Sequence, residues 1–176
     1  MIVQEVRMPF RPSMMKVRRQ AAKWIILHHT AELYDIPSAR IDNGNFQLPD
    51  ILTGVQEKKQ ADVNYHYIIE RVKDDYQIFV TRPFIYLCDW PDIHNDINKR
   101  AIHVALLGSY DFKIPPKRLY EALAYRLLNP FMKIYALSPS RIKGHNEVSD
   151  DKELSCPGEF VNMAIVESMV RKFVIR

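Results

Sequence analysis

Three separate segments of the sequence carry side chains that can bind a metal ion. His28 and His29 end an apolar run, His145 follows a glycine, and Cys156 precedes a Pro-Gly pair. A catalytic zinc ion takes about three ligands from histidine, cysteine or carboxylate side chains and keeps one position open for water. The sequence therefore offers the donor set of a catalytic zinc site, drawn from segments that are far apart in the chain.

Backbone geometry limits how these residues can act together. Neighbouring side chains on a β-strand point to opposite faces, so His28 and His29 cannot easily bind the same ion, and the residues alone do not decide which one is the ligand. Pro157 predicts the start of a helix, with Cys156 in a position like an N-cap. Unpaired amide groups and the helix dipole would there favour the thiolate that zinc binds. An isolated histidine or cysteine is more often a structural residue, so we assign no role to His94, His103 or Cys88.

Short apolar runs rich in β-branched and aromatic residues predict the strands that position these side chains. Residues 24–27 form a buried strand that ends at the histidine pair, and residues 102–107 form another. Residues 65–71 and 76–81 are two further runs of this type. The four residues between them predict an antiparallel hairpin.

Apolar residues at helical spacing predict two core-facing helices, and residues 51–59 are a possible third. The first helix lies between Pro116 and Ala136, with a kink or break at Pro130. The second ends the chain. Residues 83–100 are predicted to form a long surface loop. Strands mixed with packing helices imply an α/β domain. The apolar positions of the two helices are Leu119, Leu123, Leu127 and Ile134, followed by Phe160, Val161, Ile165, Met169 and Phe173.

Length and composition fit one globular domain. The chain has 176 residues, of which 47% are hydrophobic and 26% charged, as in average soluble proteins. It has no apolar run near the roughly 20 residues that span a bilayer, and residues 1–19 do not resemble a secretory signal. The net charge of +4 would favour an anionic partner such as a cell-wall polymer or a nucleic acid. The basic residues are scattered, however, so neither nucleic acid nor membrane is predicted as a partner.

Five segments, in this order, carry a family resemblance. Together they resemble the N-acetylmuramoyl-L-alanine amidases of the phage lysozyme and peptidoglycan recognition protein family. One such motif alone is weak evidence, whereas five in one order at domain-scale spacing are strong evidence. The segments are WIILHHT at 24–30, NYHYII at 64–69, IHVALLG at 102–108, GHNEV at 144–148 and CPG at 156–158.

The resemblance implies a fold, a site and an activity. The fold is a central mixed β-sheet flanked by helices, with 1–23 as an N-terminal extension and 24–176 as the amidase domain. The family's zinc ligands fall on His28, His145 and Cys156, and its catalytic tyrosine falls on Tyr65. The implied reaction is hydrolysis of the amide between N-acetylmuramic acid and L-alanine in peptidoglycan or a muropeptide.

The sequence departs from the family pattern beside the cysteine. Family members often have lysine or threonine two positions before the ligand cysteine, where this chain has Leu154, which cannot donate a hydrogen bond. Lys152 could loop back into that role or could be an exposed lysine. Thr30 and Asn64 could contact the stem peptide or make hydrogen bonds within turns. The strand glycine usual in the family is His103 here.

Other functions remain open at this point. Relatives without the cysteine bind peptidoglycan without cutting it, so a binding module is the main alternative, although Cys156 argues against it. A purely structural zinc ion in an assembly protein is a weaker one. Without a signal or a separate wall-binding domain, we expect a phage-type lysin made in the cytoplasm or a cytoplasmic wall-recycling enzyme. Oligomeric state is not indicated.

Overall fold

The computed structural model describes residues 3–5, 15–30 and 63–174. The possible helix at 51–59 lies outside these residues. None of the helices within these ranges is long and apolar enough to cross a membrane.

Six strands of the described ranges form one mixed sheet, which confirms the predicted fold class. The strand order across the sheet is β1-β4-β3-β5-β2-β6. Only β3 and β4 pair in antiparallel fashion, and every other neighbouring pair is parallel. The strands are β1 (Val3–Glu5), β2 (Trp24–His29), β3 (Tyr67–Val72), β4 (Asp75–Val80), β5 (Ala101–Leu106) and β6 (Ile142–Gly144).

The predicted hairpin is present, with boundaries that differ by a few residues. β3 and β4 pair from Tyr67 with Val80 to Val72 with Asp75. Two residues connect them, and the first of these, Lys73, has a positive φ of 55°. Two-residue hairpin turns favour positive φ because the resulting twist matches that of the paired strands.

The two central strands, β2 and β5, are covered on both faces. Every residue of β5 is buried, and so is every residue of β2 after Trp24. Strands buried on both sides read as continuous apolar runs, which is why the sequence predicts them well. On one face, Ile25, Leu27 and Val104 join the main core beneath the helices. On the other face, the chain between β4 and β5 covers Ile26.

The described residues also form four α-helices. The short α1 (Asn95–Asn98) lies between β4 and β5. α2 (Lys117–Glu121) continues through a π-helical stretch, Ala122–Leu128, into α3 (Asn129–Tyr135). The last helix is α4 (Met163–Val174).

The predicted apolar stripe of the first core helix is only partly correct. Leu119, Leu123 and Leu127 are buried, but Ile134 is 69% exposed and Met132 is buried near it instead. The π-helical stretch places more residues in each turn than an α-helix does, so positions beyond it rotate away from the expected face. The helical backbone continues through Pro130, which lies in the first turn of α3, where its missing N–H costs least.

The final helix begins later than predicted. Cys156 and Pro157 lie in a turn, and α4 starts only at Met163. Its buried face is formed by Val166 and Val170, whereas the predicted core residue Ile165 is 38% exposed. The expected N-cap role for Cys156 is therefore wrong.

Candidate metal centre

Two parallel strands bring the histidines His28 and His145 to one edge of the sheet. β2 pairs with β6 so that Leu27 lies beside Gly144. The next residue in β2 is His28, and the residue that follows the end of β6 is His145; both are buried. Since adjacent parallel strands end on the same side of a sheet, their following side chains meet there.

Backbone contacts place Cys156 at the same edge. The amide N–H of Asn146, next to His145, donates to the carbonyl of Cys156 at 2.8 Å. Gly158 has a φ of 114°, and a Cβ on it would come within 2.6 Å of Tyr110. Only glycine fits so close a backbone approach at that φ. A fixed turn, rather than a helix end, therefore holds the cysteine.

The three predicted ligands converge in the structure. One donor atom from each of His28, His145 and Cys156 lies within 4.8 Å of the others, and this is the only such group of potential metal ligands in the described ranges. Sγ of Cys156 is 3.8 Å from Nδ1 of His28. Two ligand atoms on one tetrahedral zinc ion lie roughly 3.5 Å apart. The donor set and its spacing fit zinc after small inward shifts.

His145 has the environment of a metal ligand. Its Nε2 lies 2.7 Å from Oδ2 of Asp92, and the hydroxyl of Ser149 donates to that same oxygen at 2.8 Å. Neither ring nitrogen has a well-aligned hydrogen bond among the described residues, so the carboxylate meets Nε2 as a close polar contact and Nδ1 is open. An imidazole held by a carboxylate through one nitrogen and open at the other is a common arrangement of metal-binding histidines.

A second buried histidine contacts His28. Its Nε2 lies 2.9 Å from Nδ1 of His103, and both residues are fully buried. Burial lowers the pKa of His28 and the pKa of His103 well below their ordinary value. Burial also lowers the pKa of His145, although the nearby carboxylate of Asp92 opposes this. Neutral imidazoles are the forms that bind metal ions.

His29 lies on the other side of β2, as strand alternation predicts. Its Nδ1 accepts a hydrogen bond from the amide of Tyr110 at 3.2 Å, and its Nε2 is 3.7 Å from a carboxylate oxygen of Asp111. It is not among the grouped donor atoms around His28.

Two aromatic side chains adjoin the centre. The ring of Trp90 stacks on that of His28 at 4.4 Å between centroids, and the ring of Tyr65 lies 5.4 Å from it. Asn64 fixes this arrangement because its amide bonds both the N–H and the carbonyl of Asp89. The indole N–H of Trp90 donates to the carbonyl of Asn64 at 3.2 Å. Tyr65 is 9% exposed, so its ring is largely packed.

The other predicted site residues have partners within the protein. Thr30 is buried and its hydroxyl accepts from the amide of Gly108 at 3.0 Å. The amide of Asn64 is likewise bonded to the backbone of Asp89. These contacts support the interpretation that both residues make hydrogen bonds within the protein. Lys152 is exposed, and its Nζ donates to the carbonyl of Ser149 at 3.3 Å.

Sequence reasoning missed three residues around the centre. Trp90 and Asp92 lie in the segment predicted to be a surface loop, although that segment also contains the buried residues Cys88 and Ile93. His103 was given no role, yet it contacts His28 directly. For His103, the sequence carried one indication of a role: a histidine stands where the family usually has glycine.

The fold and this group of side chains define an α/β domain with a candidate metal centre at the ends of parallel strands. The chain belongs to the N-acetylmuramoyl-L-alanine amidase family, because residues 18–159 match that family's model. No curated protein matches the chain.

Solved structures with the same fold include lytic and recognition proteins. N-acetylmuramoyl-L-alanine amidase LysC from Clostridium intestinale is 18% identical, with a TM-score of 0.67 and 97% of each chain covered. The Ph2119 endolysin from a Thermus scotoductus bacteriophage is 19% identical, with a TM-score of 0.62, covering 96% of this chain and 99% of that one. A complex of peptidoglycan recognition proteins LCa and LCx with tracheal cytotoxin gives 18% identity and a TM-score of 0.62, with 98% and 96% covered.

Proposed function

We propose that the protein is a zinc-dependent amidase that hydrolyses the amide bond between N-acetylmuramic acid and L-alanine in peptidoglycan or a muropeptide. The observation that carries the proposal is the convergence of His28, His145 and Cys156, whose donor atoms lie within 4.8 Å of one another. Membership of the amidase family supplies the bond that is cut.

The donor set suits catalysis better than purely structural binding. Two neutral imidazoles and one thiolate would leave a bound zinc ion with a net charge of about +1. Structural zinc sites usually have four protein ligands, whereas three leave one position for water or substrate. Zinc bound there supplies Lewis acidity toward the amide carbonyl and toward water.

The protein's own groups would then stabilise the charge that develops on the substrate. We assign to Tyr65 the hydrogen bond to the carbonyl oxygen of the scissile amide, because its ring lies 5.4 Å from that of the proposed ligand His28. A donor aimed at a developing oxyanion in a water-poor site stabilises the transition state more than the ground state. The packing of Tyr65 beside Trp90 limits the reorientation that this step requires.

Lys152 is our candidate for the second donor. Its ammonium group bonds the carbonyl of Ser149, whose hydroxyl bonds Asp92 beside His145. An exposed lysine can change rotamer at little cost, so substrate could draw the amine toward the centre. Thr30 and Asn64 would shape the site through the turns they hold, and any contact with the stem peptide would be additional.

A non-catalytic peptidoglycan-binding module is the second candidate. The observation that favours it is the likeness to peptidoglycan recognition proteins solved with tracheal cytotoxin. The complete donor set in this chain supports the enzyme instead, because binding alone does not require three converging metal ligands. Likeness to a bacteriophage endolysin is compatible with a lytic setting for this activity.

Mass spectrometry of muropeptides tests the proposal. We expect incubation with the zinc-loaded protein to release intact stem peptides from N-acetylmuramic acid, and a chelator to abolish the release until zinc is added back. Retention of every stem peptide, together with measurable binding of the muropeptides, would support the binding module.

A further inference from the structure

A hydrogen-bonded pair of buried histidines lies behind the candidate metal centre. Nε2 of His28 and Nδ1 of His103 are 2.9 Å apart. The strand register explains the contact, because His28 lies beside Ala105 and His103 is two residues earlier on the same face of β5. One proton lies between the two nitrogens, and its position decides which nitrogen of His28 can bind a metal.

Only one of the two arrangements leaves Nδ1 of His28 available. If His28 carries its proton on Nε2 and donates it to His103, its Nδ1 has a free lone pair, 3.8 Å from Sγ of Cys156. If His103 is the donor, His28 carries its proton on Nδ1 and cannot use that atom as a ligand. We infer that His103 is a positioning residue that accepts the Nε2 proton of His28 and so holds Nδ1 of His28 toward the metal, an inference that rests on the proposed zinc site.

A purely structural role would not explain a histidine at this position. His103 is completely buried, and its Nε2 finds no hydrogen-bond partner among the described residues. A buried polar atom without a partner destabilises the fold, so an apolar side chain would serve packing better. The ring atom of His103 that does have a partner is Nδ1, and this partner is Nε2 of the candidate ligand His28.

The backbone around His103 keeps its ring in place. Its amide N–H donates to Nδ1 of His66 at 3.0 Å, and Nε2 of His66 lies 2.9 Å from the carbonyl of Tyr86. This contact anchors β5 to the residue just before β3. The acceptor atom of His103 is therefore held by the sheet, and it can fix the orientation of His28.

Two variants of nearly equal size separate the hydrogen bond from packing. His103→Asn can place Oδ1 close to the position of Nδ1, whereas His103→Leu has the same branched shape without an acceptor. Zinc affinity, measured by competition with a chromophoric chelator, is expected to fall about 10- to 100-fold in His103→Leu and to stay close to wild type in His103→Asn. Apoprotein thermal unfolding checks that both variants fold; the Tm of His103→Leu is expected to fall modestly, because Nε2 of His28 loses its partner.

The outcomes distinguish this inference from the proposed function. Wild-type protein that binds no zinc would overturn both. Wild-type protein that binds zinc no more tightly than His103→Leu, or a His103→Asn variant as weak as His103→Leu, would overturn only the role of His103. If His103→Leu does not fold, nitrogen NMR of the zinc-loaded wild type decides: a proton on Nε2 of His28 is expected, and a proton on Nδ1 of His103 would contradict the inference.

Discussion

Sγ of Cys156 lies 3.8 Å from Nδ1 of His28, although 128 positions separate the two residues in the chain. Strand β2 positions His28. Cys156 lies in a turn whose backbone is hydrogen-bonded to Asn146, the residue after His145. Because folding alone brings these atoms together, a metal ion would bind only the folded chain. Zinc should therefore stabilise the protein as well as serve its chemistry.

Replacing Cys156 with serine should abolish this stabilisation. Zinc at a hundred times its dissociation constant would add about 2.7 kcal/mol to the unfolding free energy of the wild type. We expect Cys156→Ser to show little zinc-dependent rise in Tm and no amidase activity, because a hydroxyl is a poor substitute for thiolate. Cys88→Ser is the control, since that buried cysteine lies beside His66 and not at the centre. Full zinc affinity in Cys156→Ser would remove Cys156 from the ligand set.

The carboxylate of Asp92 should strengthen metal binding through His145. Its Oδ2 lies 2.7 Å from Nε2 of the imidazole, so its negative charge makes the ring a better donor. We expect Asp92→Asn to weaken zinc affinity about 10-fold or more, measured by chelator competition. Asp89→Asn removes a carboxylate from the same segment; among the described residues, that carboxylate pairs only with the exposed Lys16. Equal losses in the two variants would point to a general charge effect.

The sequence predicted the fold and the ligand candidates for physical reasons. β2 and β5 are buried on both faces, so their residues form continuous apolar runs. Such runs can be recognised in the sequence without knowing which strands lie beside them. His28 stands out because it closes the apolar run of β2. His145 follows β6, a short strand that was not predicted from the sequence, so its assignment rested on the family resemblance. The wrong expectations came from local backbone geometry that the spacing of apolar residues does not report. Ile134 became exposed because a π-helical stretch precedes it, and a Pro-Gly pair after Cys156 formed a turn where a helix start was expected.

The supporting residues could not be found from local pattern. His103 reaches His28 because β5 pairs with β2 in a register that places His103 beside Ile26. Asp92 acts because the segment between β4 and β5 folds over the site face, and the polar residues of that segment resemble those of an ordinary surface loop. Both contacts depend on how elements pack, which spacing along the chain does not encode.

Tyr65 should affect turnover more than binding. Tyr65→Phe keeps the ring that packs against Trp90 and removes only the hydroxyl. We expect kcat on a muropeptide to fall about 10²- to 10³-fold, as when one oxyanion donor is removed, with KM and zinc affinity almost unchanged. A parallel rise in KM with constant kcat would instead indicate that the hydroxyl binds substrate.

Lys152 should contribute less than Tyr65, because solvent weakens the effect of an exposed ammonium group. We expect Lys152→Met to lower kcat about tenfold and Lys152→Arg to recover part of the loss. Lys143→Met is the control, since that lysine pairs with Glu147 near the same edge. If Lys152→Met and Lys143→Met are equally active, Lys152 is a surface residue and the second donor lies elsewhere.

The buried His66 should make the metal-free protein less stable in acid. Burial and the nearby Arg18 guanidinium lower the pKa of His66 from 6.5 to about 3. Between these values the unfolded chain binds a proton that the folded chain does not. The contribution of the neutral His66 to the unfolding free energy is therefore complete above pH 6.5 and is lost as the pH falls toward 3. Below pH 3 it changes no further.

Chemical denaturation at several pH values measures this effect. The unfolding free energy should fall by about 1.4 kcal/mol per pH unit for this one group. His66→Asn can still accept the amide proton of His103 but cannot titrate, so the difference between wild type and variant should shrink with that slope as the pH falls. The other buried histidines titrate in both proteins and cancel in the difference. Parallel curves would show that His66 already keeps its neutral form in the unfolded chain or gains its proton in the folded one.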